Sequence, residues 1–257
     1  MAAASPARRA AVEGLGTAAL VAVVVGSGIQ ATELTSDPGV RLLANSLATV
    51  FGLGVLIALL GPVSGAHFNP VVTLAAWFTG RRTGDGPALR DVAGYLPAQT
   101  VGAIGGAVLA DAMFGRPLVH WSGHDRSAGH LWLGEVVATA GLVWLVLGLA
   151  RAGRAHLAPS LVAAYIGAAY WFTSSTSFAN PAVTVGRAFT DTFAGIAPAS
   201  VLPFLAAQLA GAAVGLGLVR VTFGRPAAVA VGGTAVPHGA QRPAAPVRPV
   251  EERTLPS

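Results

Sequence analysis

Six stretches of the chain, roughly residues 12–32, 40–60, 91–114, 131–150, 158–173 and 201–223, are apolar almost throughout. Each is close to the ~20 helical residues that cross a ~30 Å hydrocarbon core, and this restricts the chain more than any other feature. Composition agrees, with 53% hydrophobic and 11% charged residues, against about 25% charged in soluble domains. A soluble core of this size would need a more polar shell. The expected fold class is all-α integral membrane, with six transmembrane helices. The first stretch contains Glu13, follows Arg8 and Arg9, and lacks a small-residue cleavage site, so it reads as a retained helix and not a signal peptide.

The net charge of +5 would suggest nucleic acid in a soluble protein, but here the sixteen basic residues sort by side of a membrane. With a cytoplasmic N-terminus, Arg41, Arg116, Arg126 and Arg187 fall outside and the other twelve inside, as the positive-inside rule requires. Six crossings then return the C-terminus to the cytoplasm. The expected location is the cell membrane, multi-pass, with the lipid bilayer as partner and no nucleic acid. Residues 1–225 read as one membrane domain, with repeats at about 8–115 and 128–223. The tail 226–257 is rich in Pro, Ala and Arg without apolar periodicity and is expected to be disordered.

The absence of cysteine excludes disulfides, thiolate metal sites and thiol nucleophiles. His120, His124 and His130 share one external loop without metal-ligand spacing and read as solvated. No cofactor and no metal is expected, so function must come from backbone, amides and hydroxyls.

The two halves echo one another. Glu13-Gly14-Leu15-Gly16-Thr17-Ala18 matches Glu135-Val136-Val137-Ala138-Thr139-Ala140, and Ala98-Gln99 matches Ala207-Gln208. Between these landmarks each half carries one Asn-Pro, at Asn69-Pro70-Val71 and Asn180-Pro181-Ala182. Glu to Asn is 56 residues in the first half and 45 in the second, and Asn to Gln is 30 and 28. Three spans per half give the second half opposite polarity, hence an inverted repeat.

Alone, Asn-Pro is an ordinary helix start, an N-cap followed by the residue favoured at the first helical position. Here each copy precedes about ten mostly apolar residues, which cover about 15 Å, half a bilayer. The first short helix ends near Arg81 and Arg82, the second near Arg187 and Asp191. Each therefore enters to the midplane and returns, and the two N-termini meet at the centre. Non-helical backbone at that depth must be buried by protein or line a watery cavity.

Ser64-Gly65-Ala66-His67-Phe68-Asn69-Pro70-Val71-Val72-Thr73 and Phe178-Ala179-Asn180-Pro181-Ala182 resemble the paired signature loops of the aquaporin and aquaglyceroporin family. The resemblance covers roughly residues 8–223. It implies an aquaporin-like fold, six spanning helices plus two re-entrant half-helices, assembled as a homotetramer with one pore per protomer. It also implies passive flux of small neutral solutes, with Asn69 and Asn180 donating amide hydrogens to the permeating molecule and Glu13 and Glu135 supporting the re-entrant loops. Two helix N-termini aimed at one place would repel cations and block protons. Gln99 and Gln208 are expected to bond between helices, and Gly102, Gly105, Gly106, Gly211 and Gly215 to let helices cross closely.

The chain departs from the family where most members carry Arg after the second Asn-Pro-Ala, because here that residue is Val183. Counting without gaps from the asparagines puts the other filter positions at Thr49, Ala168 and Ser177. All four are small and uncharged, which predicts a wide filter suited to polyols, urea or neutral metalloids such as arsenous acid. Arg187 lies four residues beyond Val183, about 6 Å along the helix. It either refills the missing charge or snorkels to the interface. With His67 it is assigned to the outer pore. The run from Tyr170 to Thr184 resembles a bacterial aquaglyceroporin-like branch often associated with arsenic-resistance genes.

Other classes remain in view. A secondary transporter also uses inverted repeats and broken helices, and would employ Glu13 or Glu135 as proton carriers. No nucleophile with a base or metal set supports an enzyme.

Overall fold

The computed structural model describes residues 4–81 and 83–224; the tail expected to be disordered, 226–257, lies outside them. Among the described residues the chain forms eight α-helices and one short 3₁₀ turn. These are α1 Pro6–Leu34, α2 Pro38–Ser64, α3 Pro70–Gly80, α4 Leu89–Met113, α5 Gly129–Arg151, α6 Ala158–Phe172, α7 Pro181–Arg187 and α8 Pro198–Phe223, with the 3₁₀ turn Ala155–Leu157 before α6.

Local chemistry accounts for the helix starts. Ser5, Asp37, Asn69 and Asn180 cap α1, α2, α3 and α7 with their side chains, each followed by Pro in the first turn, where its fixed φ suits the helix and its missing N–H costs nothing. α1, α2, α4, α5 and α8 are long and apolar enough to cross a membrane. α6 has 15 residues, about 22 Å at 1.5 Å per residue. It begins late, at Ala158-Pro159, and ends at Thr173, where the chain turns into the second Asn-Pro loop.

α1 packs along α4 and α5 along α8, each pair running parallel. Gly14 meets Ala98, whereas Gly102 and Gly106 press on the backbone of Gly14 and Ala18 so closely that a methyl group on either would collide with it. In the second half, a Cβ on Gly211 or Gly215 would lie 2.5 and 2.6 Å from the carbonyl oxygens of Val136 and Ala140. Small residues matter here because helices in lipid gain from close packing, not from burying apolar surface. Gly105 does not share this role: nothing lies within 4 Å of its would-be Cβ, because it falls beside the ridge that Gly102 and Gly106 form at i, i+4.

α2 runs antiparallel to α1, tied by Asn45, whose Nδ2 donates to the Val24 carbonyl at 2.7 Å. Its outer face exposes Phe51, Val55 and Leu59 four residues apart, an apolar stripe suited to lipid.

α4 runs past both half-helices. Gln99 donates to Thr73 of α3 at 3.1 Å, Ala103 lies against Gly186 of α7, and Asp111 accepts from Thr190 just after α7 at 3.0 Å. So α3 lies beside the N-terminal half of α4 and α7 beside its C-terminal half, each pointing its N-terminus at the other.

Candidate functional site: a cavity between two helix N-termini

The two cap asparagines are bonded across to one another's loops. Asn69 Oδ1 accepts from Val71 N at 3.0 Å, and Asn180 Oδ1 accepts from Ala182 N at 3.1 Å and Val183 N at 3.2 Å. Capping fixes each oxygen toward its own helix, so each amide nitrogen faces away. Asn69 Nδ2 donates to the Ala179 carbonyl and Asn180 Nδ2 to the Phe68 carbonyl, both at 2.8 Å. Each amide group has a second N–H. Both asparagines line one cavity. Pro70, Val71, Pro181 and Ala182 form the first turns behind them, and Val71 and Ala182 are buried.

Behind each loop stands a buried glutamate. Glu13 accepts from Ser64 Oγ at 2.6 Å, His67 N at 2.9 Å, Phe68 N at 2.6 Å and Gln99 Nε2 at 2.8 Å. Glu135 accepts from Phe178 N and Ala179 N at 2.8 Å and from Gln208 Nε2 at 2.7 Å. Gln208 also donates to Thr184 at 2.8 Å, repeating the Gln99–Thr73 tie. Neither glutamate lines the cavity.

These bonds hold unusual backbone. Ala66, Phe68, Thr176, Ser177 and Ala179 have φ between 46° and 61°, a region that costs a non-glycine residue roughly 1–2 kcal/mol. With the loop N–H groups turned toward Glu13 and Glu135, the carbonyls of Gly65, Ala66, His67, Ser177 and Phe178 accept no hydrogen bond among the described residues, and all five residues line the cavity.

The cavity has a volume of about 110 Å³, large enough to hold water. Five helices each contribute one face at four-residue spacing: Leu20 and Val24 of α1, Thr49, Leu53 and Ile57 of α2, Leu142 and Val146 of α5, Val162, Ile166 and Tyr170 of α6, Val183 and Arg187 of α7. From Ala158 to Tyr170 this lining follows α6 for about 18 Å. The wall is largely apolar, and its polar groups are few and directed: the two amides, the loop carbonyls, Thr49, Tyr170, Ser177, His67 and Arg187.

Of the four residues expected to form the filter, three meet at the α7 side: Thr49, Ser177 and Val183. Ala168 does not join them; it is exposed on the outer face of α6. Two residues are 200° of helical rotation, so gap-free counting, which carries no helical phase, selected the wrong face. Tyr170 occupies the wall instead, its hydroxyl 3.1 Å from Thr49 Oγ1. The four-residue rhythm of Ala158, Val162, Ile166 and Tyr170 was the signal that could have found it. Ser177 Oγ is buried and has no partner among the described residues.

Arg187 is buried on the same side. Its Nε donates to the Ala194 carbonyl, and its guanidinium carbon lies 3.4 Å from the Phe178 ring centroid. It does not reach out to an interface, and of the two arrangements open from the sequence the structure has the one facing the cavity. His67, expected with it at the outer end, lies on the other side: its Nδ1 is 3.0 Å from Thr73 Oγ1 of α3 and its ring meets Tyr95 edge-on. The first loop leads into α3, and the His67 ring turns back onto that helix.

The model of the major intrinsic protein family matches residues 1–178. The aquaglyceroporin AqpS of Rhizobium meliloti is 50% identical over 213 residues, 83% of this chain and 89% of that protein. The propanediol uptake facilitator PduF of Citrobacter freundii is 28% identical, over 70% and 80% of the two chains. The X-ray structure of the aquaglyceroporin from Plasmodium falciparum shares the fold with a TM-score of 0.62 at 20% identity, covering 84% of this chain and 95% of that one. With paired caps, paired glutamates and a cavity between them, the chain belongs to the major intrinsic protein family and is a multi-pass membrane channel, not an enzyme.

Proposed function

We propose that the cavity is the conducting path of a passive channel for water and small polyols such as glycerol, extending to neutral hydroxylated solutes like arsenous acid. The observation that carries this reading is the pair of crossed asparagine caps, each with one N–H committed to the opposite loop and one left for a solute. Successive unpaired loop carbonyls supply acceptors, the apolar wall gives a solute no reason to stay, and two helix N-termini disfavour cations and protons. The similarity to an aquaglyceroporin supports a polyol-sized solute. The chain's own unit is residues 1–225, placed in the cell membrane with both termini cytoplasmic and assembled as a homotetramer, in keeping with its arginine distribution and family. A gradient-coupled transporter gains no support, since Glu13 and Glu135 are saturated with hydrogen bonds and sit outside the cavity.

The test is stopped-flow light scattering on proteoliposomes. Flux should be non-saturating, fast for at least one small neutral solute, and absent for protons. Uptake driven by an imposed proton or sodium gradient would overturn the channel reading.

Thr49, Tyr170, Ser177, Val183 and Arg187 form the constriction in this reading, narrower than four small residues would make it. Tyr170→Ala is expected to raise the glycerol-to-water permeability ratio about fivefold, the rate equivalent of ~1 kcal/mol, while Ala168→Leu leaves it unchanged. The opposite pattern would restore Ala168 to the pore. Val183→Arg should lower the same ratio, because a guanidinium there narrows the opening beside Ser177 and meets the like charge of Arg187 one turn away. An unaltered ratio would place the constriction elsewhere.

A further inference from the structure

Arg126 stands in the connection between α4 and α5, far in sequence from either Asn-Pro motif, and has no part in the cavity as described so far. Its Nε donates to the Gly195 carbonyl at 3.1 Å and its Nη1 reaches the Ser175 carbonyl at 3.5 Å, the limit of a hydrogen bond. Its guanidinium carbon lies 4.9 Å from the Phe178 ring centroid. Arg187 is held in the same way one residue earlier, by the Ala194 carbonyl and over the same ring. Two guanidiniums thus take consecutive carbonyls and pack on one aromatic ring. Among the described residues, neither has a carboxylate at ion-pair distance.

Two like charges so placed stay together only if their donors are fixed by geometry. The segment after α7 that supplies both carbonyls contains neither helix nor strand; within it the Gly195 N–H donates to the Thr192 carbonyl at 2.8 Å, whereas the Gly195 carbonyl is held from outside, by Arg126. Gly195 sits tightly enough that a Cβ would lie 2.6 Å from the Thr190 carbonyl. The rigid fork of an arginine reaches two segments at once, the one that orients Arg187 and the one that leads to Ser177.

We propose that Arg126 is a positioning residue for the pore: its fork fixes the Gly195 carbonyl, next to the Ala194 carbonyl that Arg187 uses, and the Phe178 ring, so that the Arg187 guanidinium is held at the cavity wall. This rests on the reading of Arg187 as part of the constriction. The consequence is that selectivity is set partly by a loop that touches no solute.

The experiment is a double-mutant cycle on the glycerol-to-water permeability ratio in proteoliposomes, with Arg126→Gln, Arg187→Ala and the double variant. Each single variant should raise the ratio several-fold, and the double should match Arg187→Ala, because without Arg187 there is nothing to position. Arg126→Lys, which keeps charge and stem, should also raise it, since one ammonium cannot hold both carbonyls as a fork does. Additive effects in the double variant, or a wild-type ratio in folded Arg126→Gln or Arg126→Lys, would overturn the proposal. A silent Arg187→Ala would overturn it by removing Arg187 from the constriction. Wild-type protein conducting neither water nor glycerol would sink the channel reading and this inference with it.

Discussion

Replacing both caps, Asn69→Asp with Asn180→Asp, is expected to cut neutral-solute flux by about tenfold or more and to let cations through. Each aspartate keeps a cap oxygen for its own helix but turns the other oxygen, an acceptor, toward the carbonyl that Asn69 Nδ2 or Asn180 Nδ2 now serves. Two buried carbonyls lose their donors, at roughly 1–3 kcal/mol each, and the solute loses both N–H groups. Two carboxylates also cancel the positive potential of the facing helix N-termini. The measurement is light scattering for solutes alongside a pH-sensitive dye and a cation-leak assay on the same vesicles. Unchanged flux and unchanged ion exclusion in folded double variant would reduce the asparagines to ordinary caps.

Glu135→Gln should be as damaging, through the fold of the loop and not through the solute. The carboxylate receives three N–H groups, from Phe178, Ala179 and Gln208. An amide offers one oxygen and turns an NH₂ toward another donor. Hydrogen bonds to a buried charged acceptor contribute roughly 1.5–3 kcal/mol each, and the positive-φ residue Ala179 is free to relax once its bond is gone, with its neighbour Ser177 beside it. The expected results are a marked drop in thermal stability in detergent and flux reduced about tenfold, with Glu13→Gln behaving likewise for the first loop. A Glu135→Gln protein of wild-type stability that had lost only a pH-dependent component of transport would instead identify the residue as a proton carrier.

Legible in the sequence were features that short-range chemistry dictates. The apolar stretches imposed a membrane and helices, because only internally bonded backbone survives in lipid. Asn-Pro imposed a helix start wherever it occurred, because cap and first-turn proline act within three residues. The matched order of Glu, Asn-Pro and Gln imposed the internal repeat and pointed to the residues that meet at its centre. Tertiary structure decided everything that depends on helical phase or on partners distant in the chain. Ala168 and Tyr170 differ by two residues and by opposite faces of α6, which a gap-free count from the asparagines does not distinguish. The strained backbone of Phe68 and Ala179 has no local signature, since it is stabilised by Glu13 and Glu135 more than forty residues away. Arg187 faces the cavity instead of the interface because a loop carbonyl and an aromatic ring, brought together only by folding, hold it there.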